Sequence, residues 1–310
     1  MAFPSFLVLK YLTLHKIYTR MKKEVEYIAQ ISIDSLWAGR KHIEWNLQKG
    51  VNILSGINGI GKTTILNRIL SALRSLRMVD GQLQTMTPGL HLQFYPADAE
   101  ELHFDIIRSF DRPMVQAELI EKSGDIEVRS ELDWELYQLQ RKYLDYQVNM
   151  GNQMIELLQR GDEEGRFMAA QIPALKTRFQ DMIDHLFADT GKKVMRRCNE
   201  LRFEQQLDTL GLYYGEGEGL TIQELSPYKL SSGEKQILII LLTVLVQNCR
   251  PSVLLMDEPE ISLHIDWQQQ LIALIRELNP NVQVILTTHS PALIMDGWLD
   301  AVTEVSDITL

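Results

Sequence analysis

The stretch Gly56–Thr64, GINGIGKTT, constrains the fold of this chain more than any other. It lies between VNILSG, an apolar run of strand character, and TTILNRILSALRSL, where Ile65, Leu66, Ile69, Leu70 and Leu73 recur at helical spacing. Strand, glycine-rich turn and helix in that order form the context in which G-x-x-x-x-G-K-[ST] folds as a phosphate loop. Glycine is needed where backbone N–H groups turn inward at φ values that a side chain obstructs, and the helix N-terminus adds partial positive charge. Gly56, Asn58, Gly59, Gly61, Thr63 and Thr64 are the expected cradle, and Lys62 the counter-charge to the terminal phosphates. The Thr63 hydroxyl is the expected contact to Mg2+.

A second word, VLLMDEPE, drives a strand into the core and delivers Asp257 and Glu258 at its C-terminal end, where ligands bind in open α/β sheets. Asp257 is expected to hold the metal shell and Glu258 to orient and polarise an attacking water as general base. A third, LSSGEKQ (Leu230 to Gln236), precedes an apolar helix. Taken alone it is a serine-rich helix cap, with Gly233 permitting a close backbone approach and Glu234 as the first-turn acid.

The phosphate loop, LSSGEKQ, LLMDEPE, SLH and TTHS, in this order, resemble the ATP-binding-cassette ATPases over roughly residues 26–75 and 225–295. The wording SSGEKQ and DEPEISLH resembles the SMC-like and RecF-like branch, including the AAA-type ATPase domains of overcoming-lysogenisation-defect and related bacterial defence proteins. Transporter subunits more usually read LSGGQ and SALD; here Ser232 replaces the first glycine. The resemblance implies a homodimer that sandwiches two ATP molecules with Mg2+, Ser231 and Gly233 touching the γ-phosphate held by the other subunit. It further implies that Ser262 and Leu263 lie in a loop crossing the interface, that His264 shapes this loop, and that His289 is a switch histidine. An imidazole at that position can donate to phosphate whether neutral or cationic. The family's glutamine that senses metal and water is Gln84, Gln93 or Gln116.

Continuous apolar strands alternating with helices predict an α/β fold with a mostly parallel sheet covered on both faces. The whole reads as a P-loop NTPase of the ABC-ATPase type with a peripheral antiparallel β-layer and a short helical insertion. Residues 1–25 are read as an extension, 26–129 and 192–310 as the two parts of the ATPase domain, and 130–191 as the insertion. In the extension, Lys10, His15 and Lys16 interrupt the apolar run, so a secretory signal is not expected and translation is expected to begin at Met21. LHLQFY and LHFDIIRSF are both assigned to the peripheral layer, and LYYGEGEGLTIQEL to a hairpin around Gly215 to Gly219. Leu132, Leu136, Leu139, Tyr143, Tyr146, Met150, Met154 and Leu157 form a near-heptad stripe on a helix of roughly 40 Å, ended by the polar break RGDEEGR. A projecting arm and a set of packed helices are both compatible with that pattern.

Lys and Arg total 31 against 41 Asp and Glu, a net charge of −10 that argues against a generally basic nucleic-acid surface. The densest basic cluster, Lys192, Lys193, Arg196 and Arg197, is read as a solvated helix face, with a nucleic-acid contact as the alternative. No run approaches the ~18–20 apolar residues of a membrane span. Cys198 and Cys249 lack metal-site spacing and fit a reducing, cytoplasmic compartment. Tyr27, Trp37 and Trp45 are candidates for stacking on adenine or for ordinary strand packing. The function expected is Mg-dependent ATP hydrolysis that drives nucleotide-gated dimerisation, a switch for a separate effector protein in DNA metabolism or anti-phage defence. A transporter's ATP-binding subunit and a nucleotide-binding scaffold with negligible turnover are the alternatives.

Overall fold

The computed structural model describes residues 22–36, 41–108, 128–207 and 221–310. Strands β1 (Tyr27–Leu36) and β2 (Lys41–Asn46) lead into β3 (Val51–Ser55), after which the glycine-rich turn opens α1 (Lys62–Arg74). A hairpin of β4 (Leu76–Val79) and β5 (Gln82–Thr85) follows, then β6 (Leu90–Tyr95) and β7 (Phe104–Arg108). Asp80 and Gly81 make its two-residue turn, both at positive φ (50° and 80°), as a turn matching the strand twist requires. Three helices come next: α2 (Glu131–Gln159), α3 (Glu163–Gln171) and α4 (Ala174–Leu186). Short strands β8 (Lys192–Val194), β9 (Phe203–Leu207) and β10 (Thr221–Leu225) precede α5 (Ser232–Val246). The chain closes with β11 (Ser252–Asp257), α6 (Ile265–Leu278), β12 (Val282–Thr287), α7 (Pro291–Met295) and β13 (Val302–Glu304).

The centre is a five-stranded, all-parallel sheet in the order β13-β3-β12-β11-β7. Its register aligns Leu54, Thr287, Asp257 and Arg108 side by side at the C-terminal edge. Alternate residues of each strand enter opposite cores: Leu254, Met256, Val284 and Leu286 face one, and Val253, Leu255 and Ile285 the other. The first core is closed by α2, α4, α5 and α6. The second is closed by α1 and by an antiparallel layer, β2-β1-β6. The continuous apolar strands therefore belong to a sheet buried on both faces.

Gln283, wholly buried on β12, links these two sheets. Its amide donates to the carbonyls of Ile28 and Gln48 at 2.9 and 2.8 Å, and its oxygen accepts from the Ile28 amide at 2.8 Å, beside a register shift in β1. Gln283→Leu would take this partner from the buried Ile28 amide and carbonyl, at about 1–3 kcal/mol for each group, whereas the Gln48 carbonyl keeps the Asn52 amide as a donor. Urea unfolding should register a loss of about 2–4 kcal/mol in total; a change below about 0.5 kcal/mol would place the link elsewhere.

Three sequence assignments change. LHFDIIRSF does not join LHLQFY in the peripheral layer, because Phe104–Arg108 pairs in parallel with β11 as an edge of the central sheet. The polar break RGDEEGR contains the start of α3, since Asp162 caps that helix by accepting from the Gly165 amide at 2.6 Å. The hairpin leading to TIQEL pairs Thr221–Leu225 with Phe203–Leu207, earlier than LYY, while Gly215 to Gly219 lie outside the described residues.

The near-heptad stripe is one continuous helix of 29 residues, α2. Its first half does not stand clear of the domain: Leu132, Leu136, Leu139, Tyr143 and Tyr146 are buried in the same core as α5. Farther along, Leu157 packs with Met168 and Ala169 of α3 in a small separate cluster. The stripe thus serves two packing partners in succession.

Candidate nucleotide site

Between β3 and α1 the backbone turns through Gly56, Gly59 and Gly61 at φ of 148°, 79° and 106°. Gly61 occupies the N-cap of α1 without a side-chain cap, so the first amides of the helix are left to a ligand. Lys62 folds back, its ammonium donating to the carbonyls of Gly56 and Ile57 at 2.8 and 3.3 Å. Burial pulls its pKa below the ordinary lysine value, and the carboxylates of Glu258, Asp257 and Glu260 pull the other way. A cavity of about 590 Å³ opens here, lined by Asn58, Gly59, Gly61, Lys62, Thr63, Thr64, Glu258 and His289.

The acidic wall is built by parallel pairing. Because Asp257 and Thr287 are in register, the Thr287 hydroxyl donates to Asp257 Oδ1 at 2.6 Å, and the Thr63 hydroxyl reaches the same oxygen at 3.2 Å. The next residue, Glu258, adopts φ of 48°, and its amide donates to the Thr287 carbonyl and hydroxyl, each at 3.1 Å. This turn swings the Glu258 carboxylate towards His289, whose Nε2 lies 3.3 Å away. Thr287 is thus a site residue that TTHS contained but sequence reading passed over.

Glu260 was likewise overlooked. Its Oε1 accepts from the Thr288 hydroxyl at 2.6 Å and from the amides of His289 and Ser290 at 2.9 and 3.2 Å. Gln268 of α6 adds a second brace, donating to the Leu263 carbonyl at 2.9 Å and accepting from the Ser290 hydroxyl at 2.6 Å. The DEPE and TTHS words are therefore tied to each other, a relation that no spacing within either word could display.

The LSSGEKQ segment has local work to do. Ser231 and Glu234 form a reciprocal capping box at the start of α5. A Cβ on Gly233 would sit 2.4 Å from the Ser262 carbonyl, so the close approach that demands glycine is to a loop of the same chain. Ser262 itself adopts φ of 70°, and Leu263 is buried. Neither Ser231 nor Gly233 lines the cavity beside its own phosphate loop. Gly233→Ala should force the two segments apart at a cost of about 1–3 kcal/mol, read as a lowered urea midpoint.

Other candidates fall away from the cavity. Trp45 is buried and donates to the Thr303 hydroxyl at 3.3 Å, Tyr27 stacks on Tyr95, and Trp37 lies outside the described residues. Gln84 is on β5 and Gln93 donates to Gln30 at 2.5 Å; Gln116 lies outside the described residues. The basic cluster is not on a helix, and although Lys193 and Arg197 are solvated, the other two are paired. Lys192 is on a strand with its ammonium 2.7 Å from Glu234, and Arg196 pairs with Asp181 and Asp184. His264 is the N-cap of α6, its ring accepting from the Asp266 amide at 3.4 Å.

The residues present fit a magnesium nucleotide. An uncapped helix start, three left-handed glycines and a desolvated lysine suit a phosphate chain, and Thr63 with Asp257 gives hard oxygen donors. No cluster of three or more His, Cys, Asp or Glu able to hold a metal alone exists among the described residues.

Fold and site together define an ATPase of the P-loop class. Residues 51–296 match the family described as "AAA domain, putative AbiEii toxin, Type IV TA system", and the chain belongs to that family. It is similar to the Septu protein PtuA of Bacillus thuringiensis, with 23% identity over 304 residues covering 86% of this chain and 72% of that protein. A shorter segment is 38% identical over 78 residues to the Retron Ec83 probable ATPase of Escherichia coli, covering 22% of this chain and 14% of the relative. Among solved structures, an SmcHead bound to the C-winged helix domain of ScpA aligns at 14% identity and a TM-score of 0.46, covering 87% of this chain and 92% of that one. No helix among the described residues is long and apolar enough to cross a membrane.

Proposed function

We propose that this protein hydrolyses ATP with Mg2+ and uses the γ-phosphate to join two copies, as a switch for a separate effector in DNA metabolism or anti-phage defence. The observation that carries the reading is the convergence of Lys62, Thr63, Glu258 and His289 on one cavity, with Asp257 bound behind it to the Thr63 hydroxyl. The glycine loop and Lys62 bind the phosphate chain. Thr63 and Asp257 hold Mg2+, which when bound neutralises charge on the β and γ oxygens. The Glu258 carboxylate accepts a proton from the attacking water, and His289 donates to the terminal phosphate.

The gated pairing is supported by what surrounds the cavity. Ile57 and Ile261, on loops at the C-terminal edge of the sheet, and Ile265, at the start of α6, are 76%, 36% and 52% exposed, an apolar rim that a second copy would cover. Ser231 and Gly233, apart from their own chain's cavity, are then free to complete a neighbour's. The defence reading is supported by the similarity to the Septu protein PtuA and the Retron Ec83 probable ATPase.

Measuring phosphate release for the wild type and Lys62→Ala tests the hydrolysis. Loss of at least about 10²-fold in the variant is expected if Lys62 offsets charge that develops on the phosphates. Equal rates would sink the assignment. In sizing experiments, ATP should shift Glu258→Gln from monomer to dimer, and a concentration-independent monomer would remove the pairing while leaving the chemistry.

A further inference from the structure

Glu260 does not line the phosphate-loop cavity, yet it is 8% exposed and carries a carboxylate. Its Oε1 gathers three donors from consecutive residues, Thr288, His289 and Ser290, and its Oε2 is buried with no hydrogen-bond partner among the described residues. Burying a carboxylate is costly unless it is well bonded, so a neutral side chain here would be the cheaper solution for folding alone. What the charge provides is a strong acceptor for two successive backbone amides, which fixes the chain at the residue bearing the imidazole.

The consequence reaches Glu258. Its main chain is held by Thr287, and its carboxylate lies 3.3 Å from His289 Nε2. His289 is in turn held by Glu260, and the adjoining Ser290 by both Glu260 and Gln268. We infer that Glu260 is a positioning residue for hydrolysis: it fixes the His289 backbone so that the imidazole and the Glu258 carboxylate are presented to the terminal phosphate as one unit. It rests on the ATPase reading above. Misplacement of reacting groups by about 1 Å can cost about 10²-fold in rate, which gives this brace its scale.

The test compares wild type, Glu260→Ala, Glu260→Gln, Thr288→Val and Glu258→Gln. Steady-state kinetics give kcat and KM for ATP, a fluorescent ATP analogue gives Kd, and hydrogen exchange by mass spectrometry follows residues 287–291. Glu260→Ala should lose about 10–100-fold in kcat with Kd within about twofold, and exchange should quicken at the His289 and Ser290 amides. Glu260→Gln keeps an acceptor oxygen without the charge and should recover part of both losses. Thr288→Val should give the same pattern at about three- to tenfold, and it decides the matter if Glu260→Ala does not fold.

A Glu260→Ala rate within about twofold of wild type, beside an inactive Glu258→Gln, would overturn the positioning role and leave the ATPase reading intact. So would kcat and Kd worsening in parallel, or a Glu260→Gln variant as impaired as Glu260→Ala. If Glu258→Gln turns over at the wild-type rate, the ATPase reading fails and the role assigned to Glu260 falls with it.

Discussion

Glu258→Gln should lower phosphate release by about 10²–10⁴-fold, the range for removing a positioned general base, while ATP still binds. The amide keeps the shape of the side chain and an oxygen for His289, but it cannot take a proton from water. Removing one negative charge beside the phosphates also favours retention of the triphosphate. Single-turnover release measured beside equilibrium binding separates the two effects. A variant that fails to bind ATP would make Glu258 a structural acid, and one that hydrolyses normally would move the base elsewhere.

Lys192→Ala should destabilise the fold by about 3–5 kcal/mol at neutral pH, as expected when one partner of a buried ion pair is removed. Glu234, 3% exposed beside Lys192, would keep the Thr190 hydroxyl and the Ser231 amide as donors but lose its cation. Burial alone would raise the Glu234 pKa, but the Lys192 ammonium and the Ser231 amide outweigh it and hold the carboxyl below its ordinary value. A depressed acid stabilises the fold above its unfolded pKa, about 4.3, and that contribution is lost as pH falls through the folded value. Urea unfolding should therefore show the difference between wild type and Lys192→Ala at pH 7 and see it shrink in acid below about pH 4. Lys192→Met with Glu234→Met should recover much of the loss, since an apolar pair of similar volume replaces a buried ionic one at little cost. A double variant no better than the single one would show that Lys192 stabilises by another route.

Much of this was legible in the sequence because the signals are local. The order strand, glycine turn, helix fixed the phosphate loop, and four apolar residues before Asp257 and Glu258 named the strand that carries them. The Asp80–Gly81 hairpin was equally legible as a turn dipeptide and was simply passed over. Phe104–Arg108 is different in kind: five residues of strand character say nothing of which sheet edge they join, and that choice is made by pairing with Val253–Asp257, some 150 residues distant. Lys192 was misread because charge clusters are usually solvated, whereas its partner Glu234 lies in another word of the sequence. Glu260 and Thr287 stayed hidden since their roles exist only once β11 and β12 are neighbours.

The contact between Gly233 and the Ser262 carbonyl joins the loop after Glu258 to the first turn of α5, and on that same turn Lys235 lies 2.8 Å from Asp133. Asp133 is in the first turn of the 29-residue α2, whose far end is about 39 Å away at 1.5 Å per residue. The helix is held in the core shared with α5 as far as Tyr146, so the half beyond it, about 20 Å at 1.5 Å per residue, is the part that carries α3 on its far end. A shift of the Ser262 loop is therefore transmitted through one steric stop and one ion pair to the root of α2, and along that helix to α3.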